Sequence, residues 1–175
     1  FAASSFSVDT LAPELSFTIT GKAAPAGGRT LVNSARPELR LNYSDAVSGV
    51  EPASVVMELD GVRVAASAGA DAAIFTPAAD LSQGRHAATA SARDRAGNLA
   101  ALTADFVLDS LAPETTILAP ADGAFFATGT VALKAAFSDV GSGLSTASLR
   151  LNLDNGALTA ELELPPVGPA GKPGT

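Results

Sequence analysis

The sequence predicts an all-β fold in which antiparallel β-sandwich repeats follow one another in tandem. Apolar residues alternate with polar ones along short segments, turn residues separate these segments, and two stretches of sequence recur later in the chain. Alternation with a period of two is typical of strands that bury one face, and short strands between turn signals indicate a sandwich. Recurrence at a fixed spacing is the signature of a repeat architecture.

The alternation runs through residues 10–109. The apolar positions are Leu15, Phe17 and Ile19; Leu39, Leu41 and Tyr43; Val55, Met57 and Leu59; Ala88, Ala90 and Ala92; and Leu102, Ala104, Phe106 and Leu108. Each set predicts a strand with one buried face. Asp60-Gly61 predicts a tight hairpin, and Asn155-Gly156 repeats that signal. An aliphatic and phenylalanine core is expected, formed by Leu41, Met57, Phe75, Leu81 and Phe106.

The recurrence is visible in two pairs of segments that keep their order. FSVDTLAPE at 6–14 returns as FVLDSLAPE at 106–114, an offset of 100 residues that equates Asp9 with Asp109. LRLNYSDAVSGV at 39–50 returns as LKAAFSDVGSGL at 133–144, an offset of 94 residues that equates Asp45 with Asp139. The smaller second offset predicts six additional residues in the first copy, within the Gly- and Pro-rich stretch 22–29.

These matches divide the chain into four parts. Residues 1–9 are predicted to be the last strand of a preceding repeat, and residues 10–109 one complete domain. Residues 110–164 are predicted to be the N-terminal part of a second, incomplete repeat. Residues 165–175 are rich in Pro and Gly and are expected to be a disordered tail. Seven strands in about 100 residues is the size of an immunoglobulin-like sandwich, which is the fold expected for the complete repeat.

The composition excludes several classes of partner and site. The net charge is −7 with a pI of about 4.5, which argues against nucleic-acid binding because that needs a concentrated basic patch. The sequence has no Cys, so it offers neither disulfides nor a thiolate metal site. No apolar run approaches the roughly 18 residues of a membrane span, so membrane insertion is not expected.

An enzyme is not expected either. His86 is the single histidine, and a lone histidine in a strand is usually a polar surface residue. Phosphate-binding loops, nucleophile elbows and paired metal-type histidines are absent from the sequence. Asp45 and Asp94 could form a carboxylate pair for acid–base chemistry, but a small sandwich implies no cleft around them.

Three acidic segments are expected to meet at one pole of the complete repeat. In this topology the chain enters at the pole where the loop 45–49 and the hairpin 94–98 also lie. The oxygen-bearing side chains of these segments are Asp9, Asp45, Asp94 and Asn98. Oxygen ligands suit Ca²⁺, which takes about six to eight of them. We therefore predict a Ca²⁺ site between repeats here, and the same logic places Asp109 and Asp139 at the next junction.

A second interpretation of these residues needs no metal. Asp and Asn are favoured in turns because their side chains accept hydrogen bonds from nearby backbone N–H groups. The segments around Asp45 and Asp94 would then be well-formed turns, and Arg93 and Arg95 could neutralise Asp94. Both interpretations stay open on the sequence alone.

Several motifs in fixed order carry a family resemblance. They read VDTLAPE at 8–14, SDAVSGVEPASVVMELDG at 44–61, FTPAADLSQGRHAATASARDRAGN at 75–98 and FVLDS at 106–110. In these segments the chain resembles the bacterial immunoglobulin-like tandem repeats of large secreted or cell-surface proteins and, more distantly, cadherin-type repeats. The resemblance implies an extracellular or cell-surface location in a bacterium and rod-like arrays that Ca²⁺ often stiffens. The implied partners are neighbouring immunoglobulin-like repeats of the same chain, with a host or matrix ligand outside this segment.

Two functions follow from these observations. The first is a structural spacer that extends and stiffens the stalk of an adhesin or another surface protein. The alternative is an accessory or carbohydrate-binding module of a secreted hydrolase. Sugar binding usually needs exposed aromatic rings, yet the sequence has no Trp and its one Tyr, Tyr43, alternates inward.

Overall fold

The computed structural model describes residues 5–127, 131–150, 152–153 and 156–157. It confirms the all-β immunoglobulin-like sandwich: within the described residues the only helical elements are two 3₁₀ turns, Pro52–Ser54 and Thr146–Ser148. The chain divides into two compact units, Phe1–Ser110 and Leu111–Thr175. The tandem arrangement and the predicted division into four parts stay predictions, and residues 165–175 lie outside the described residues.

The described part of the first unit forms two five-stranded sheets. The strands are β1 (Glu14–Ile19), β2 (Lys22–Ala24), β3 (Arg29–Val32), β4 (Leu39–Ser44), β5 (Val56–Leu59), β6 (Val62–Val64), β7 (Ser67–Ala68), β8 (Ala72–Phe75), β9 (Gly84–Arg93) and β10 (Leu99–Leu108). One sheet has the order β2-β1-β4-β8-β7 and the other β3-β10-β9-β5-β6. Neighbouring strands are antiparallel except β3 and β10, which are parallel.

The hairpin predicted at Asp60-Gly61 is present and joins β5 to β6, with Leu59 paired to Val62. Asp60 and Gly61 both have positive φ, 53° and 77°. Two successive positive φ values match the right-handed twist of the flanking strands, and the Asp-Gly pair is favoured there because Gly has no Cβ to clash. Thr20 and Gly21 form a similar turn between β1 and β2, although Thr-Gly is not one of the residue pairs typical of such turns.

The core lies between the two sheets and follows the predicted alternation. Its largest fully buried side chains are Phe17, Ile19, Leu39, Leu41, Met57, Phe106 and Leu108. Alanines at 73, 88, 92 and 104 complete it and allow the sheets to approach closely. Phe75 and Leu81, which were also predicted to form the core, pack against it but are only half-buried. Phe75 ends β8 and Leu81 lies in a loop, so neither reaches the centre.

Tyr43 points inward, as the alternation predicts, and its hydroxyl oxygen lies 2.7 Å from the carbonyl oxygen of Gly69 and 3.1 Å from that of Ala72. We expect Tyr43→Phe to lower the free energy of unfolding by about 1–2 kcal/mol, because the Gly69 carbonyl loses the hydroxyl donor in a partly buried setting, whereas the Ala72 carbonyl keeps the Gly69 N–H at 2.7 Å. Urea unfolding followed by circular dichroism measures this. An unchanged midpoint would show that the hydroxyl adds nothing to stability.

The second unit repeats one pairing of the first. Strand β11 (Glu114–Ala119) pairs antiparallel with β12 (Lys134–Ser138), and β13 (Asn152–Leu153) pairs with β14 (Gly156–Ala157). Glu114 lies opposite Ser138, just as the equivalent Glu14 lies opposite Ser44. The recurring sequences therefore form the same strand pair in the same register from Glu114 to Ile117, after which a bulge shifts the register so that Ala119 lies opposite Lys134. A hairpin was also predicted at Asn155-Gly156. Asn155 lies outside the described residues, and Gly156 pairs with Leu153.

Candidate metal centre

The structure brings together three of the predicted ligands. Asp9, Asp45 and Asp94 each offer a carboxylate oxygen, and these three oxygens lie within 4.8 Å of one another. Asp9 precedes β1, Asp45 directly follows β4, and Asp94 directly follows β9. Because antiparallel strands alternate in direction, these three positions fall at one end of the sandwich, which we call the N-terminal pole.

Asp45 organises the loop that follows β4. Its Oδ1 accepts hydrogen bonds from the backbone N–H groups of Val47, Ser48 and Gly49 at 3.2, 2.8 and 2.7 Å. Gly49 has a φ of 76°, which an L side chain rarely adopts, so the tight return of the loop needs glycine. One carboxylate oxygen thus holds the loop in place, and Oδ2 takes part in none of these bonds.

Asp94 is the most buried of the three, with only 3% of its surface exposed. Its Oδ1 accepts the Asn98 backbone N–H at 2.8 Å, and its Oδ2 accepts the Asn98 side-chain amide at 2.7 Å. Burial acts to raise the pKa of Asp94, but hydrogen bonds from Asn98 and from the backbone of Gly97 and Ala96 outweigh it and lower the pKa below the ordinary 3.8. Asp94 is therefore an anion at neutral pH.

Asn98 and Ser48 fasten the N-terminal segment to this pole. The Asn98 Nδ2 lies 3.2 Å from the carbonyl oxygen of Asp9 and 3.0 Å from that of Leu11. The Ser48 backbone N–H donates to Asp9 Oδ2 at 3.1 Å. Asn98 was predicted as a ligand, and the structure places it inside the cluster as a hydrogen-bond donor. The segment before β1 is thus bonded to both loops of the pole.

The donor set fits Ca²⁺. Two ligands at about 2.3–2.6 Å from one ion are at most about 5 Å apart, so oxygens within 4.8 Å of one another can share an ion. The ion pairs among the described residues are Arg36–Asp80 and Asp60–His86, so none of these carboxylates has a cationic partner within 4.0 Å. Arg93 instead donates to the carbonyl of Gly97 at 2.9 Å.

Both sequence interpretations therefore find support at this pole. The turn hydrogen bonds of Asp45 and Asp94 are formed, as the metal-free interpretation expects. The metal-free interpretation also expects Arg93 or Arg95 to neutralise Asp94. In the described part of the chain, neither arginine forms an ion pair with Asp94. The arrangement is thus compatible with both interpretations, and a bound cation at this pole stays a prediction.

Asp109 and Asp139 lie in different units. Asp109 directly follows β10, is buried, and its backbone N–H donates to the carbonyl of Val32 at 2.9 Å. Asp139 directly follows β12, and its Oδ1 accepts from the backbone N–H groups of Gly141 and Gly143 at 3.1 and 2.7 Å. Asp139 thus builds the same turn as its counterpart Asp45. A metal site at this second junction stays a prediction.

The expectation that His86 is a surface residue was wrong. Only 7% of His86 is exposed, and its ring stacks on Phe106 with centroids 5.2 Å apart. Its Nδ1 lies 2.7 Å from Asp60 Oδ2 and its Nε2 lies 2.9 Å from the carbonyl oxygen of Ser82. The signal was present in the sequence, because position 86 has the same parity as the inward-facing Ala88 and Ala90.

Comparison with known proteins identifies the fold of the first unit. Residues 16–110, just over half of the chain, match the family model of a bacterial Ig-like domain. No curated protein matches the sequence. The crystal structure of CopC from Methylosinus trichosporium OB3b is similar at 18% sequence identity, covering 54% of this chain and 93% of that one with a TM-score of 0.40. No helix among the described residues is long and apolar enough to cross a membrane.

Proposed function

Because the chain belongs to the bacterial Ig-like domain family, whose members are generally structural and non-catalytic, we propose that it is a spacer segment of an extracellular or cell-surface bacterial protein. In this role it extends and stiffens a stalk, and its partners are neighbouring repeats of the same chain. Ca²⁺ bound at the N-terminal pole fixes the segment before β1 against the domain. A head domain or ligand of the array lies outside this segment.

The positions of the two chain ends in the first unit support a spacer. Asp9 lies beside residues 94–98, which precede β10, whereas Asp109 follows the other end of β10. The ten residues of β10 span roughly 33 Å at about 3.3 Å per residue. The chain therefore enters and leaves at opposite poles, which is the arrangement that converts each added domain into length.

The Ca²⁺ proposal rests on the fact that the three carboxylates come from different segments of the chain. Asp45 and Asp94 belong to loops of the sandwich, whereas Asp9 belongs to the segment that leads into it. A cation shared by the three would bind this segment to the domain. Without a cation, three negative charges in close proximity repel one another and loosen the same joint.

The alternative of a carbohydrate-binding module has less support. Sugar-binding faces use exposed aromatic rings, but the sequence has no Trp and its one tyrosine is 3% exposed in the core. The exposed rings of the described residues are Phe6 in the first unit and Phe125 and Phe126 in the second, so the first unit presents no group of exposed rings among its described residues. An accessory segment of a secreted hydrolase would serve as a spacer in the same way, since the catalytic domain would lie elsewhere.

Calcium is expected to stabilise the first unit. A ligand that binds only the folded state adds about 2.7 kcal/mol at a free concentration 100 times its Kd. For a domain of about 100 residues this raises Tm by roughly 10–20 °C. Thermal melts of the full chain in millimolar CaCl₂ and in chelator measure the shift, with calorimetric titration to give the stoichiometry.

Magnesium at the same concentration is the control for ionic strength and charge. Mg²⁺ is smaller and demands a near-ideal octahedral site, so we expect it to raise Tm less than Ca²⁺ does. Equal melting curves in Ca²⁺ and chelator would overturn the metal proposal and leave the turn interpretation of the three aspartates.

A further inference from the structure

His86 occupies a position in which both ring nitrogens face acceptors. Nδ1 meets a carboxylate oxygen of Asp60, and Nε2 meets the backbone carbonyl of Ser82. A carbonyl accepts but cannot donate, and an ionised carboxylate likewise only accepts. A neutral imidazole carries one N–H and satisfies one of these partners, whereas the imidazolium carries two and satisfies both. The geometry therefore selects the charged ring.

The contacts of this ring join two loops at the end of the sandwich opposite the candidate metal centre, which we call the C-terminal pole (residues 60–61, 82–84 and 109–110). We propose that His86 is a pH-sensitive clamp at this pole, which holds the β5–β6 turn and the loop before β9 together while the ring is doubly protonated and releases one of them when a proton leaves. This device lies outside the spacer function proposed above and needs no cation.

Burial gives the clamp its effect. The His86 side chain is 6% exposed and stacks on Phe106, so a ring nitrogen that loses its proton has little access to water, whereas the Asp60 side chain is 45% exposed. Asp60 makes a second contact through Oδ1, which accepts the backbone N–H of Ala87 at 2.9 Å. The turn is thereby held against β9 at two adjacent residues. The neutral ring keeps its remaining N–H for the Asp60 carboxylate, which is the stronger acceptor, so the contact that is lost on deprotonation is the one to Ser82.

The loop that His86 contacts is hydrogen-bonded to Ser110, in the segment that follows β10. Gln83 follows Ser82 directly and forms two hydrogen bonds with Ser110: its Nε2 donates to the Ser110 Oγ at 2.7 Å, and its Oε1 accepts the Ser110 backbone N–H at 2.9 Å. The backbone that His86 holds at Ser82 therefore positions the side chain that holds Ser110. Loss of the contact between His86 and Ser82 frees the link to the segment after β10.

Asp60 is the charged group that faces His86. From the neighbouring elements, Asp80 in the loop before β9 is paired with Arg36 at 2.7 Å. Arg85 on β9 and Asp105 on β10 are exposed and alternate to the face opposite His86 and Phe106, and Asp109 lies three residues beyond Phe106, past the end of β10. Of these charged groups, Asp60 is the one within hydrogen-bond distance of the His86 ring.

The pKa shifts of the pair agree with this geometry. Burial acts to lower the pKa of His86, but the hydrogen bonds to Asp60 and Ser82 and the charge of Asp60 outweigh it and raise the pKa above 6.5. Burial acts to raise the pKa of Asp60, but hydrogen bonds from His86 and Ala87 lower it below 3.8.

These directions define the pH window of the clamp. The histidine contribution to stability is complete below pH 6.5 and is lost as the pH rises through the raised pKa of His86. The aspartate contribution is complete above pH 3.8 and is lost as the pH falls through the lowered pKa of Asp60. The clamp is therefore fully closed between these two ordinary values and opens as the pH rises through the raised pKa of His86.

Proton NMR of the full chain tests the proposal directly, because the chain contains one histidine and its imidazole signal needs no assignment. In chelator, we expect the His86 midpoint to lie above 6.5 and the backbone amide signals of Gln83 and Ser110 to shift with the same midpoint. Asp60→Asn should lower all three midpoints together. Asp80→Asn, which breaks the exposed ion pair in the same loop, is the matched control and should change none of them.

Gln83→Ala separates the clamp from its link to the segment after β10. In this variant we expect the His86 midpoint to stay above 6.5 while the Ser110 amide no longer follows it. The proposal is overturned if His86 titrates at or below 6.5 in the unmodified chain. It is equally overturned if the Ser110 amide does not respond across the His86 transition, since the clamp would then not reach the segment after β10.

Discussion

Replacing Phe106 with alanine is expected to lower the free energy of unfolding of the first unit by about 3–5 kcal/mol, the usual cost of removing a buried phenylalanine ring. Phe106 has no exposed surface, lies in the central strand pair β9–β10 and supports the ring of His86. A typical domain is stable by only about 5–15 kcal/mol, so this loss is a large part of the total. Urea unfolding measured by circular dichroism gives the difference.

The repeat itself supplies the control. Phe6 is the counterpart of Phe106 in the recurring sequence, yet it is 90% exposed. Phe6→Ala should therefore change the stability of the first unit by no more than about 0.5 kcal/mol. Equal losses from the two substitutions would contradict the packing described for β10 and would mean that residue 6 is buried in the same core.

The second large effect concerns Asp45→Asn, which we expect to remove most of the Ca²⁺-induced rise in Tm while changing the stability in chelator by less than about 0.5 kcal/mol. Asparagine keeps an Oδ1 that can accept the N–H groups of Val47, Ser48 and Gly49, so the turn survives. It removes the negative charge, which a Ca²⁺ site needs and a turn does not.

This substitution therefore distinguishes the two interpretations of the acidic loops. Asp139→Asn is its matched control, because Asp139 caps the equivalent turn in the second unit through Gly141 and Gly143. We expect it to leave the Ca²⁺ response of the first unit unchanged. If Asp45→Asn retains the full Ca²⁺ response, the cation does not bind at this pole.

The position of the acidic cluster can be predicted from the sequence because it depends on topology alone. Strand alternation fixes which face of each strand is buried, and the order of antiparallel strands decides which loops share a pole. These two rules place the loops at one pole, and so they predict that Asp9, Asp45 and Asp94 lie close together without knowledge of any side-chain contact. The fold class follows in the same way, since the alternation and the Asp60-Gly61 turn are local signals.

The features that sequence reasoning missed depend on partners distant in the chain. The burial of His86 requires the Asp60 carboxylate from another hairpin, and a polar residue type alone indicates the surface. The parallel pairing of β3 with β10 joins residues more than 70 positions apart. In addition, β3 begins at the end of the stretch 22–29, whose glycines and prolines indicate only a loop. Phe75 and Leu81 were placed in the core by residue type, although their positions at a strand end and in a loop decide their burial.

The parallel pair of β3 and β10 has a mechanical consequence. Arg29–Val32 lies in register with Asp105–Leu108, directly before the chain leaves the domain at Asp109. Tension along the chain pulls β10 lengthwise past β3 and β9, so the hydrogen bonds of both ladders are sheared together instead of being peeled apart one by one. Forced unfolding is governed by the unfolding rate, and this geometry requires many bonds to break in a single step. The domain is therefore built to resist being pulled from its two ends.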